Sequence, residues 1–196
     1  MGWADYVPCM RNPVKRKNLR LRFLPFHLAG VVLLLLSNPT PASIAIGSVP
    51  VAIGVAVRTW AAGHLVKNAR FGVSGPYAHL RHPLYLGTFL IASGLALMLA
   101  GWTANLVLIA VFAWFFLYYF PRKERIESAR LEGLYGEDFR AYRNQVPALL
   151  PRMWARPIAA DERWSSRCYA DNNELGTLLA VISGVGLVAL RASFVT

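Results

Sequence analysis

Charge and cysteine are both scarce in this chain. Only 16% of its 196 residues are charged, against roughly a quarter in an ordinary soluble protein. Apolar residues make up 56%, so the composition is that of a membrane protein. Acidic residues are the scarcest charge: ten Asp and Glu stand against 21 Lys and Arg, for a net charge of +11. Such an excess invites nucleic acid as a partner, but that needs a basic face on a soluble fold, and here the basic residues lie between apolar runs. No nucleic-acid partner is expected. The two cysteines, Cys9 and Cys168, stand in no C-x-x-C or other ligand spacing, which removes a disulfide scaffold and a zinc site and leaves free thiols. Phosphate loops, H-E-x-x-H helices, G-x-S-x-G elbows and G-x-G-x-x-G turns are missing too. His79-x-x-His82 resembles half a metal site, but Pro83 interrupts it and no further ligand has the right spacing, so no metal is expected. Met1 to Leu21 carries Pro8, Pro13 and a basic cluster without a small-residue cleavage site, so the first apolar run is expected to be retained.

What the chain has in abundance is apolar sequence of spanning length. Residues 1–22 form a basic arm with Arg11, Lys15, Arg16, Lys17, Arg20 and Arg22, drawn to anionic headgroups. The first span is predicted from Phe23 to Ser37, broken by Asn38-Pro39-Thr40-Pro41 because proline lacks an amide donor and disfavours helix before it. A second runs from about Ser43 to Ala62, thinned by Gly47, Pro50 and Gly54 so that neighbours can approach closely. Its polar end places Trp60, His64 and Lys67 on one helical face, where an interfacial anchor is the plainest reading. The third span covers Leu84 to Gly101, with Gly87, Ser93, Gly94 and Ala96 again favouring close packing. Trp102 to Asn105 is read as a tight turn into the fourth span, Leu106 to Phe120, making an antiparallel hairpin. Pro121 marks the exit, and Arg122 to Arg143 reads as an amphipathic helix leaving the membrane, with Ile126, Leu131, Leu134 and Phe139 among its charges. A loop from Pro147 to Tyr169 leads to a fifth span, Leu175 to Leu190, entered through Asp171-Asn172-Asn173-Glu174, which suits a helix N-terminus.

The fold expected is therefore all-α, a polytopic transmembrane bundle of about five spans with a cytoplasmic amphipathic helix. Its parts are the arm (1–22), a membrane core (23–151), and a loop with a C-terminal transmembrane helix (152–196). Five spans put the arm, residues 58–82 and residues 121–170 on one side, with 6, 4 and 10 basic residues; the other side has Arg191 alone. The positive-inside bias places the first set, including the N-terminus, in the cytoplasm.

One stretch on that face is denser in chemistry than its surroundings. Ser74 to Gly87 carries Tyr77, His79, Arg81, His82 and Tyr85 between Gly75-Pro76 and Pro83, at the mouth of an apolar helix. Ionisable groups at the edge of an apolar bundle are costly unless paired, and Arg122 to Arg143 offers Glu127 or Glu124 as a partner for Arg81.

Gly75-Pro76-Tyr77, Arg81-His82-Pro83-x-Tyr85-x-Gly87, a helical hairpin, Glu127-x-x-x-Leu131-x-x-x-Tyr135-Gly136-x-x-Phe139-x-x-Tyr142 and Val146-Pro147 occur in this order. The string resembles the isoprenylcysteine carboxyl methyltransferase and phospholipid methyltransferase family over roughly residues 58–151. The resemblance implies a cytoplasm-facing pocket for S-adenosylmethionine and an opening toward the bilayer for a lipophilic acceptor, either a prenylated thiol or carboxylate or an aminophospholipid. It also implies Arg81 and Glu127 as catalytic residues, with Tyr77, Arg81, His82, Pro83, Tyr85, Gly87 and Glu127 around the cofactor. One position departs: where the family usually has two consecutive glutamates, this chain has Glu127 and Ser128, and whether Glu124 stands in for the second is open.

The residue types suit the chemistry. Methyl transfer is an in-line displacement at a sulfonium carbon, so alignment is most of the work. Glu127 can hold an ammonium or take a proton from an amine, Arg81 can hold a carboxylate by a bidentate contact, and the rings of Tyr77 or Tyr85 can face a sulfonium. Pro83 fixes the turn, and His82 adds a hydrogen bond. Two alternatives stand beside this one: a membrane reductase of the sterol-reductase type using a nicotinamide cofactor, and a non-catalytic membrane protein that keeps the turn for folding.

Overall fold

The computed structural model describes residues 28–65, 73–152 and 163–195. The basic arm, the start of the first span, Lys67, Arg70 and Cys9 lie outside the described residues. Among the described residues all regular structure is helical. Residues 28–35 belong to α1; α2 is Pro41–His64, α3 Pro83–Met98, α4 Trp102–Trp114, α5 Phe120–Gln145, α6 Ser166–Asp171 and α7 Glu174–Ala192. Among the described residues three helices are long and apolar enough to cross a membrane: α2, α7, and the 44-residue rod Trp102–Gln145 that joins α4 to α5. With α3 beside them they form a helical membrane bundle. The 16 residues of α3 reach only about 24 Å, short of the roughly 30 Å of hydrocarbon.

Helix α2 begins as its sequence dictates. Thr40 and Ser43 form a capping box, Pro41 occupies the first turn where its missing amide costs nothing, and the Ser43 hydroxyl also reaches the Met98 carbonyl at 2.9 Å. From there α2 runs antiparallel to α3 in backbone contact. A Cβ on Gly47 would lie 2.4 Å from the Gly94 carbonyl oxygen, and one on Gly54 would lie 2.6 Å from that of Gly87. Each pair is seven residues apart on its helix, two turns, so the contacts repeat along one seam. Helix α7 closes the packing: Val51, Ile91, Met98, Val181 and Val188 form its buried core. At its far end Arg191 donates to the Leu35 carbonyl at 3.1 Å, so a cation meets the exposed carbonyls where α1 ends.

Two expectations are corrected. The reversal between α3 and α4 falls on Leu99–Gly101, with Ala100 left-handed at φ 51°, while Trp102 to Asn105 is the first turn of α4. At Pro121, read as the exit from the fourth span, the helix itself runs on. The chain widens into a π turn at Phe115–Tyr119, and Pro121 then sits in the first turn of α5, where a proline needs no i−4 partner. The segment before the fifth span is not all loop, because Ser166–Asp171 is helical. The amphipathic helix is present as α5, broken at Gly136, whose φ of 54° only glycine adopts readily. Leu131 and Phe139 turn inward there, whereas Ile126 and Leu134 are exposed.

Substituting Gly54→Val is expected to destabilise the bundle by about 1–3 kcal/mol, the usual cost of overpacking. Gly133→Ala, with nothing within 4 Å of the added carbon, is expected to be neutral or stabilising by up to about 1 kcal/mol. Thermal melts of the two variants in detergent test the contrast, and equal melts would refute the glycine seam.

Candidate functional site

The site is built at the end of the bundle where α2 finishes and α3 begins. Gly75 opens a short 3-10 turn, Gly75–Ala78, at φ 56°, and a Cβ there would strike the His64 ring at 2.8 Å. Residues 79–82 then run beside the chain that leaves α5. The Arg81 amide donates to the Pro147 carbonyl at 2.9 Å, that of His82 to Ala148 at 3.1 Å, and that of Arg152 back to His79 at 2.9 Å. Tyr142 of α5 adds a hydroxyl donated to the Tyr77 carbonyl at 2.9 Å. The turn and the amphipathic helix therefore meet, as the sequence requires if Arg81 is to find a carboxylate.

The carboxylate that Arg81 finds belongs to Glu124. One of its oxygens takes the Arg81 Nη1 donor and, at 3.1 Å, the hydroxyl of Ser128; the other lies 2.5 Å from His82 Nε2. Arg81 Nε is spent on the Val146 carbonyl at 3.0 Å. Ser128, buried one turn along α5, supports the Glu124 carboxylate. The apolar part of the Trp102–Gln145 rod ends at Phe120, so Glu124 stands beyond the hydrocarbon stretch. Burial pushes its carboxyl up, but His82, Arg81 and Ser128 together outweigh burial and hold it down at about 2.

Glu127, the carboxylate expected to pair with Arg81, makes no hydrogen bond or ion pair with a described residue. It is partly buried, and its charge acts on Tyr77 and Tyr85. The Tyr77 ring is buried and its hydroxyl has no hydrogen-bond partner among the described residues; burial drives that hydroxyl's pKa upward. Tyr85 stacks on His82 with centroids 5.4 Å apart, and Phe120 and Phe115 meet these rings edge-on at 5.4 and 5.5 Å. The π turn makes this possible. Its i to i+5 bonding stacks Phe115 on Phe120, five residues apart, at 5.6 Å. Pro83 and Gly87 are placed differently from the other predicted residues: Pro83 is fully buried as the first residue of α3, and Gly87 lies in the α2 seam, where a Cβ would meet Arg58 Cγ at 2.5 Å.

Reasoning from sequence missed a second charged cluster. Arg58 near the end of α2 is bound by both oxygens of Glu174, at 3.0 and 2.6 Å, and its Nη1 donates to the Leu84 carbonyl at 3.2 Å and to Thr88 at 2.6 Å. The signal was present: a lone Arg inside an apolar run and a lone Glu opening another require partners, yet 116 residues separate them.

Comparisons with known proteins fall on the same part of the chain. Residues 42–138 match the model of the phospholipid methyltransferase family. The chain is 33% identical over 116 residues to the cobalt-zinc-cadmium resistance protein CzcN of Cupriavidus metallidurans, covering 58% of this chain and 51% of the relative. It is 34% identical over 77 residues to the protein-S-isoprenylcysteine O-methyltransferase of Schizosaccharomyces pombe, covering 39% and 31%. To the nickel-cobalt-cadmium resistance protein NccN of Alcaligenes xylosoxydans xylosoxydans it is 31% identical over 114 residues, covering 57% and 51%. The chain thus spans about half or less of the length of the curated relatives it matches. No solved structure matches.

The Glu124 cluster makes a pH prediction. A carboxyl whose folded pKa is lowered stabilises the fold above its unfolded value, 4.5, and loses that contribution as pH falls through about 2. Glu124→Gln should therefore melt lower than wild type in detergent near neutral pH, with the gap closing as the pH is taken down through that window; a gap independent of pH would show that the charge is not what matters. Arg81, His82 and Glu124 all lie inside the matched residues, and through this stretch, 42–138, the chain belongs to the phospholipid methyltransferase family.

Proposed function

We propose that this membrane protein is a methyltransferase that uses S-adenosylmethionine and methylates a lipophilic acceptor, an aminophospholipid or a prenylated carboxylate or thiol, at a site formed by residues 77–85 and Glu127. The observation that carries this reading is a division of labour between two carboxylates one helical turn apart. Glu124 is saturated by Arg81, His82 and Ser128, while Glu127 beside it is left without a partner among the described residues. An ionisable group kept partly buried at the edge of an apolar bundle, and not used by the fold, is suited to a ligand.

The residues fit the proposed cofactor. Glu127 would take its ammonium by a charge-assisted bond. The Arg81 Nη2 nitrogen, the one not engaged by Glu124 or Val146, would take its carboxylate by a single contact rather than a bidentate one. The Tyr77 hydroxyl, buried and unpartnered, is a donor that a polar ligand atom would satisfy. The His82–Tyr85 stack offers ring faces to a sulfonium. When bound, S-adenosylmethionine supplies an electrophilic methyl carbon. Around it, the Glu124 bridge keeps Arg81 and His82 in one arrangement so that the acceptor meets fixed partners. Pro83 and Gly87 serve by fixing the start of α3 and letting it lie against α2.

The distribution of basic residues favours a cytoplasmic site, where a water-soluble donor is available. The end of α2, the start of α3 and the start of α7 meet at that same end of the bundle, tied by Arg58 and Glu174.

Titrating S-adenosylhomocysteine into the detergent-solubilised full chain is expected to show saturable binding, weakened on the order of ten- to a hundred-fold by Glu127→Gln, the equivalent of about 1.5–3 kcal/mol for one charged hydrogen bond. NADPH should not bind. Binding of NADPH in place of S-adenosylhomocysteine would establish the reductase alternative, and unchanged affinity in Glu127→Gln would remove that residue from the site. Incubating the protein with labelled S-adenosylmethionine and total membrane lipid, then identifying the labelled species, gives the acceptor.

A further inference from the structure

The family match ends at residue 138, yet the chain beyond it is built into the end of the bundle that carries the site. Trp164 Nε1 donates to the Thr59 carbonyl at 3.0 Å, the Ser165 amide donates to Gly63 at 2.9 Å, and Asn172 Nδ2 donates to Ala62 and Leu65, both at 2.9 Å. These donors fasten the segment to the last turns of α2 and to Leu65 just beyond it, and the Ser165 amide meets the Gly63 carbonyl, one of those that a helix end leaves open. The Trp164 ring sits directly over Gly63, where a Cβ would come within 1.9 Å of Nε1. Segment 163–173 is thus a cap, and it delivers Glu174, buried to 5% exposure, to Arg58.

What Arg58 does with its remaining nitrogen links this cap to the site. Its Nη1 donates to Thr88 at 2.6 Å and to the Leu84 carbonyl at 3.2 Å, and the Thr88 hydroxyl itself donates to Leu84 at 2.8 Å. Leu84 lies between Pro83 and Tyr85, so the guanidinium grips the first turn of α3, the turn that carries the Tyr85 ring and follows Arg81 and His82. A buried ion pair adds little net stability compared with apolar residues of the same volume, because desolvation offsets the attraction. Its planar, directional fork does impose one geometry on the groups it joins.

We propose that Glu174 is a positioning residue for this site: acting through Arg58 and Thr88, it sets where the first turn of α3 places Tyr85 and the Arg81–His82 turn. The proposal rests on the methyltransferase reading above. It makes α7, which lies outside the matched family stretch, part of the functional unit.

The test uses the detergent-solubilised full chain as wild type, Glu174→Gln, Thr88→Val and the double variant. S-adenosylhomocysteine titration counts folded binding sites, and labelled methyl transfer from S-adenosylmethionine to total membrane lipid gives the rate per site. A purely structural role would lower the number of sites and leave the rate per site intact. The expected result is a fall in rate per site on the order of ten-fold or more in each single variant, the scale of a displacement of about 1 Å at the reacting groups. The double variant should be no slower than the worse single, since both changes cut one chain of contacts. Thr88→Val removes only a surface-side hydroxyl and so keeps the test alive if Glu174→Gln fails to fold. Wild-type rates per site in Thr88→Val, or in folded Glu174→Gln, would overturn the proposal and leave the methyltransferase reading standing. Wild type that binds no S-adenosylhomocysteine would overturn that reading itself.

Discussion

Backbone contact between α2 and α3 is the constraint from which the remaining geometry follows. Two glycine pairs, Gly47 with Gly94 and Gly54 with Gly87, remove the side chains that would hold the helices apart. In a bilayer, where lipid is as apolar as leucine, such close approach and the dispersion contacts it permits replace much of the hydrophobic force that drives packing in water. At the site end of the seam, the space left by Gly87 is filled by the stem of Arg58. The guanidinium can then reach across α3 to Leu84 and Thr88 on one side and to Glu174 on the other. A larger residue at position 87 would displace that stem, so packing and electrostatics at this end share one cause.

The second constraint is the pairing of charge at the edge of the hydrocarbon. Arg81, His82 and Glu124 form a compact group that joins the turn before α3 to the helix after α4, and Ser128 completes the shell of the carboxylate. Backbone bonds from Arg81 and His82 to Pro147 and Ala148 lock the same turn from the other side. With those groups satisfied internally, the Glu127 carboxylate, one nitrogen of Arg81 and the Tyr77 hydroxyl are left without partners among the described residues. The groups that hold this end of the bundle in shape are thus distinct from those left unpaired, and the division follows from which donors and acceptors are already used.

Much of this was legible in the sequence. The apolar runs, their small residues and the proline breaks gave α2, α3 and α7 to within a few residues, and the glycines of α2 and α3 do pack as their size suggests. The meeting of the Arg81 turn with α5 was also foreseeable, because a charge at that depth needs a partner. What was not legible has a different origin. Pro121 reads as the exit from the fourth span, and the sequence carries no sign that a π turn before it lets the helix run on through it. Asp171 to Glu174 reads as a helix N-terminus, and α7 does begin at Glu174, but the bonds of Asn172 to the end of α2 and of Glu174 to Arg58 join segments distant in the chain.

Composition and periodicity determined the class of molecule, the rough extent of its helices and the residue types available for chemistry, since each of these depends on local pattern and on the cost of burying charge. Only the tertiary structure decided which carboxylate Arg81 would take. Glu124 and Glu127 are three residues apart on one helix, equally near in sequence, and the choice between them rests on the rotation of α5 against segment 79–82. The same holds for Arg58 and Glu174, brought together by the docking of two helices whose separation in the chain carries no information about their contact.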